Sequence, residues 1–220
     1  MENFAITHNE NTFHIEGFPD AVKVLKITDP KSKRLADLAL HKMDLDFALE
    51  CLETINHTPS EPYLLREVLW QTSIVRFIKC FGGNDSRFSL DPKVVYKDDI
   101  GALQAFNFFL SLRNKNIVHD ENSYTQCLPG AVLNKDGMDY KIAKIVCLSV
   151  AGTVLGQEAY NNLHLLATNA RKWVISQFDE ICRILTAELE TRPYNELLAI
   201  EGIAYMAPTA DDVHKPKASL

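Results

Sequence analysis

Residues 157–191 read QEAYNNLHLLATNARKWVISQFDEICRILTAELET. Leu163, Leu166, Ala170, Trp173, Val174, Phe178, Ile181, Leu185 and Leu189 recur at three- and four-residue steps. That spacing places them on one face of an α-helix. No proline interrupts the run until Pro193. A helix this long, with a single apolar stripe, must bury that stripe against other helices. It makes the fold an assembly of helices rather than a sheet.

The same period recurs upstream. Leu35, Leu38, Leu45, Leu49, Leu52 and Ile55 predict a helix over 31–56, ended by His57-Thr58-Pro59. Ser60 as N-cap and Pro62 in the first turn open a second helix near 61–81. Its expected buried stripe is Leu64, Leu65, Val68, Leu69, Thr72, Val75 and Ile78, and Gly82-Gly83 stops it. Residues 83–97 read as a polar loop. A third helix starts at Asp98-Asp99, acids suited to the positive helix end, and runs to about Asn116.

Two stretches break the helical period. Pro129-Gly130 interrupts the chain, and residues 131–150 read as a β-hairpin turning at Asp136-Gly137. Before the first helix, Phe4–His8 and Thr12–Ile15 alternate around Asn9-Glu10-Asn11, a second hairpin, with Val22–Ile27 as a possible third strand. A short helix is expected within 194–206.

The expected fold is therefore mainly α. It is an antiparallel helical bundle over 31–206 with a β-hairpin inserted at about 131–150. A small β-element at 1–30 precedes it and a flexible tail at 207–220 follows.

Composition narrows the function. Of 220 residues, 23 are Lys or Arg and 29 are Asp or Glu, a formal charge of −6. A domain coated for non-specific nucleic-acid binding is basic, so any nucleic-acid site must be local. No apolar run reaches the roughly 18 residues of a membrane span. Met1-Glu2-Asn3-Phe4 opens no secretory signal, and a cytoplasmic protein is expected. Five cysteines without a C-x-x-C pair argue against a disulfide framework or a zinc knuckle. Phosphate-loop, zinc-protease, nucleophile-elbow and EF-hand patterns are missing from the sequence. Neither a metal nor a cofactor is expected.

One constellation resists a structural explanation: Leu110-Ser111-Leu112-Arg113-Asn114-Lys115-Asn116-Ile117-Val118-His119. With Arg113 at zero on a helical wheel, Phe106 falls near about 20°, Ile117 near about 40°, Leu110 near about 60° and Phe109 near about −40°. Arg113 thus sits in the middle of an apolar face. Burying a guanidinium is costly without a partner, so it either lines a cleft or meets an acid. His119, six residues on, lies about 240° away on a continuous helix. The two converge only if the helix ends near Asn116–Val118, or if two subunits each contribute one. The plainer alternative is an arginine–carboxylate bridge followed by a surface histidine. A second apolar strip on this helix, Ala105, Phe108 and Leu112, points to deep burial or to a partner subunit.

Arg113-Asn114 followed by His119, at the end of the third main helix of a helical bundle, resembles the motif of the HEPN superfamily. Its members include toxin, abortive-infection and CRISPR-associated ribonucleases. The likeness covers about 31–190 in architecture and Arg113–His119 in motif; the two β-elements lie outside a minimal HEPN bundle. The resemblance implies a metal-independent endoribonuclease in phage defence or a toxin–antitoxin system. It further implies a homodimer with the site shared between copies, and a possible antitoxin or other regulatory protein. His119 would be general acid or base, Arg113 would bind the scissile phosphate, and Asn114 would orient one of them. The residue chemistry agrees: RNA brings its own 2′-OH nucleophile, histidine titrates in range, and arginine matches a phosphate. Lys115, Arg76, Lys79 and Arg87 are the candidates for a local basic rim that binds substrate. The alternative is a non-catalytic HEPN-like binding or regulatory module, which the acidic charge favours.

Overall fold

The computed structural model describes residues 6–9, 12–57, 62–83, 86–119, 121–152, 155–203 and 209–215. The chain is mainly helical and of bundle character. In order it forms β1 (Ile6–Asn9), β2 (Thr12–Ile15), α1 (Lys31–His57), α2 (Tyr63–Lys79), α3 (Pro92–Tyr96) and α4 (Ile100–Leu112). A π-helical turn (Arg113–Ile117) comes next, then β3 (Thr125–Leu133), β4 (Ile142–Ala151), α5 (Gln157–Glu190), α6 (Tyr194–Ala199) and a short 3-10 turn (Ala210–His214). β1 pairs with β2 and β3 with β4, both antiparallel. The expected N-cap Ser60, the terminator Thr58-Pro59 and the turn residues Glu10 and Asn11 lie outside the described residues, as do 204–208 and 216–220.

Contacts divide the chain into two compact units. One takes residues 1–43, 83–88 and 172–220; the other takes 44–82 and 89–171. In the first unit, Lys26 N donates to Glu201 O and Ile203 N to Val24 O, so residues 24–26 bridge the segment after α6. Val22–Ile27 is therefore not a third strand of the N-terminal hairpin. His41, wholly buried on α1, bonds Phe88 O through Nε2 at 2.8 Å. Asp37, one turn earlier, accepts from Lys33 Nζ and from Phe88 N. This polar row closes segment 86–88 onto α1. Within the segment expected as a flexible tail, Ala210–His214 form a 3-10 turn with a capping box between Thr209 and Asp212.

The second unit carries the candidate motif. Its core is Leu45, Ala48, Leu52 and Ile55 of α1, Trp70, Ile74, Phe77 and Ile78 of α2, Phe106, Phe109 and Leu112 of α4, and Leu163, Leu166, Ala167 and Ala170 of α5. Phe77, Phe81, Tyr96 and Phe106 form one aromatic cluster with centroids 4.8–6.3 Å apart. The Tyr96 hydroxyl donates to Leu166 O at 3.2 Å, and burial pushes that phenol well above its usual range.

Three expectations need correction. α2 buries Trp70, Ser73, Ile74, Phe77 and Ile78 and leaves Leu64, Leu65 and Val68 exposed, so the expected stripe is rotated: Ile78 is buried, Leu69, Thr72 and Val75 are partly covered, and its first turns face outward. The polar loop contains α3, opened by Asp91, whose side chain accepts from Lys93 N, and by Pro92 at the first helical position. The hairpin begins at Thr125 rather than 131, and Pro129-Gly130 lies inside β3 opposite Cys147 and Val146. A two-stranded ribbon leaves the outer positions of β3 without a neighbour, which is where a proline costs nothing.

Candidate functional site

α4 is set by its two ends. Asp99 caps it, accepting from Ala102 N at 3.0 Å. Phe106, Phe109 and Leu112 anchor its buried face, with Trp70 edge-on to Phe109 at 6.0 Å. Leu112 therefore belongs to the core. Of the second apolar strip, Ala105 is partly covered and Phe108 is half exposed.

The helix does not end as an α-helix. From Arg113 to Ile117 it widens into a single π turn, closed by Val118 N donating to Arg113 O at 3.0 Å. Such turns are rare, and many lie at functional sites. The turn packs against α2. Asn114 and Asn116 are poor helix formers whose amides compete for local bonds. Because the turn holds one residue more than an α turn, the chain beyond Ile117 lags by about 100°. Glu121 N donates to Lys115 O, and Asn116 Nδ2 reaches Thr125 Oγ1 at 3.4 Å, tying the turn to the root of β3.

Within this turn Arg113 is partly buried and donates from Nη1 to Asn114 Oδ1 at 2.8 Å. Among the described residues no carboxylate pairs with it, so the arginine–carboxylate bridge is not what the structure shows. Its partner is a neutral amide that fixes one edge of the fork. Lys115 and His119 are exposed. The helix ends before His119, as convergence requires, but His119 makes no hydrogen bond to another described residue, and the structure records no contact between it and Arg113.

Arg76 and Lys79 stand one turn apart on α2. Both reach Asp44, at 2.8 Å and 3.1 Å. Asp44 is 4% exposed, while the two cations remain about half exposed. The Arg76 guanidinium also lies over the Phe47 ring, 4.7 Å from its centroid. Half of the expected basic rim is thus offset by one buried acid that sequence reasoning missed. The available signal was spacing: Asp44 falls seven residues after Asp37 and three after His41, on the apolar side of α1. Arg87 is buried and belongs to the other unit.

Two cavities, of about 450 and 280 Å³, are lined by other residues than Arg113 and His119. Among the described residues no group of three or more His, Cys, Asp or Glu is placed to hold a metal, and no helix is long and apolar enough to cross a membrane. None of the five cysteines is joined in a disulfide; burial pushes the thiols of Cys51 and Cys182 up. In comparison with known proteins, no family, no curated protein and no solved structure matches the chain.

Proposed function

We propose that the chain is a metal-independent endoribonuclease of the HEPN type, acting in the cytoplasm in phage defence or a toxin–antitoxin system. The observation that carries this reading is Arg113. A permanently charged fork is held at one nitrogen by a neutral amide, in a π turn that ends two residues before the exposed His119. A guanidinium with donors to spare and, among the described residues, no acid paired with it suits an anion, and a phosphodiester presents one.

The assigned steps follow from the groups. Arg113 grips the non-bridging oxygens of the scissile phosphate and offsets the charge that grows on them. One His119 takes the proton of the 2′-OH as that oxygen attacks phosphorus. The second, from a paired copy, gives a proton to the departing 5′-oxygen as the P–O5′ bond breaks. The products are a 2′,3′-cyclic phosphate and a 5′-hydroxyl. Asn114 orients the Arg113 fork, and Lys115 contacts the RNA backbone. Arg76 and Lys79 contribute to the extent that Asp44 leaves their charge unspent. A toxin of this kind needs an antitoxin or other regulatory protein.

A second reading, a non-catalytic HEPN-like binding module, has its own support in the net charge of −6 and in the Asp44 clamp on Arg76 and Lys79. Incubation of purified protein with RNA in EDTA separates the two. Cleavage should persist without metal, fall by about 10² to 10⁴ in His119→Ala, and not return in Arg113→Lys, which lacks the planar fork. Cleavage that requires a divalent metal, or that is equal in His119→Ala, refutes the ribonuclease.

A further inference from the structure

The β3–β4 ribbon is apolar and uncovered along its length. Leu128, Ile145, Leu148 and Val150 are all more than half exposed, and Val146 is the one partly covered residue of either strand. Facing pairs such as Leu128 opposite Leu148 and Ala131 opposite Ile145 make both faces apolar. An isolated two-stranded hairpin is marginal in water, so a ribbon of this kind is built to be covered.

Its two edges are not alike. β3 carries Pro129 and a bulge at Val132/Leu133, both devices that block further strand addition. β4 has one charge, Lys144, near the tip; beyond it runs Ile145-Val146-Cys147-Leu148-Ser149-Val150-Ala151, with no charge, proline or glycine. That is the composition of a strand open to pairing.

We infer that β4 is a homodimerisation edge, pairing antiparallel with β4 of a second copy into a four-stranded sheet. The neutral run 145–151 centres on Leu148. A two-fold axis there sets Leu148 opposite Leu148 of the second copy, with the 146 and 150 positions facing each other and likewise 145 and 151. Every facing pair is then uncharged, and the strand is its own complement. Other occupants fit less well. A lone Lys144 offers RNA almost no charge, and a tip carrying Lys135, Asp136, Asp139 and Lys141 opposes entry into a membrane.

Area sets the strength. Seven paired residues span roughly 24 Å, and side chains on both faces give an interface roughly 10 Å deep, roughly 240 Å² a partner. A standard stable interface buries about 800 Å² a partner. The dimer is therefore reversible and depends on concentration. The inference stands on the ribbon alone: with the axis at Leu148 the two Ala151 roots lie roughly 20 Å apart along the strands, so this contact is separate from the shared site proposed above. The ribbon is rooted at the π turn through Thr125.

Sedimentation reads it without any RNA, so its failure is distinct from failure of the ribonuclease. From about 1 µM to about 1 mM, the wild type should pass from monomer to dimer. Leu148→Lys/Val150→Lys should stay monomeric with unchanged far-UV circular dichroism, since both sites are exposed. In a Cys127→Ser/Cys147→Ser background, Leu148→Cys should give a disulfide-linked dimer on mild oxidation, because directly opposed strand residues lie within disulfide reach. Leu128→Cys, on β3, should not. A wild type monomeric throughout, a double variant that still dimerises, or crosslinking through Leu128→Cys instead of Leu148→Cys each overturns it.

Discussion

Asp44 makes an asymmetric prediction. Its carboxylate is buried, but the two cations it holds are about half exposed. Replacing Asp44 by Asn removes the charge and leaves Arg76 and Lys79 able to turn to water. The loss is that of partly exposed ion pairs, about 1 kcal/mol. Replacing Arg76 and Lys79 together by Ala instead strips two charged partners from a buried acid, which costs about 3 kcal/mol because the carboxylate has no water to fall back on. The double variant also loses the Arg76 stem over Phe47, in the same direction. Urea unfolding with a shared m-value measures both. In a chain of this size about 1 kcal/mol moves Tm by about 2–4 °C, so the two variants should separate by several degrees. Equal losses, or a larger loss in Asp44→Asn, would refute the reasoning. Asp44→Asn also frees two cations on the helix against which the π turn packs, and under the ribonuclease reading it should tighten RNA binding.

Phe106→Ala empties the centre of the cluster formed with Phe77, Phe81 and Tyr96. It should cost about 3–5 kcal/mol in denaturant unfolding, and because α4 leads directly into the π turn that carries Arg113 it should lower any activity at temperatures where the fold survives. Asp29 accepts from Lys31 N at 2.7 Å, and that bond, with the Lys31 ammonium, holds its carboxyl below the usual 3.8. A carboxyl whose folded pKa lies below its unfolded one stabilises the fold above the unfolded pKa and ceases to as pH falls through the folded one. The stability of Asp29→Ala should therefore fall less steeply than that of wild type below about pH 4, by thermal melts across the acid range; parallel curves would refute it.

How much of the fold was legible depends on what each element is built against. α5 was, because Leu163, Leu166, Ala170 and Val174 are apolar on one side only, and the period alone selects the buried face. α2 was not. Tyr63, Leu64, Leu65, Val68 and Leu69 compete with Trp70, Ile74 and Phe77, so the face turned inward is decided by Phe106 and Phe109 on a distant segment. Pro129 misled because a proline forbids a central strand and not the rim of a ribbon. At the site, residue type and spacing singled out Arg113, Asn114 and His119. The π turn stayed hidden, since it is a change of backbone phase without a composition of its own. The Asp44 clamp stayed hidden because its partners lie 32 and 35 residues away.

The base of the ribbon has a consequence for how such a chain is put together. Gly152 N donates to Tyr124 O at 2.8 Å, and a β-carbon on Gly152 would fall 2.5 Å from the Tyr124 ring, which occupies that space. The two ends of residues 125–151 are thus one hydrogen bond apart. A chain that skips the whole excursion can be rejoined by a very short turn, at almost no cost in closure entropy. The ribbon is a detachable module, spliced into the helical framework at a point where its gain or loss leaves the rest of the backbone path intact.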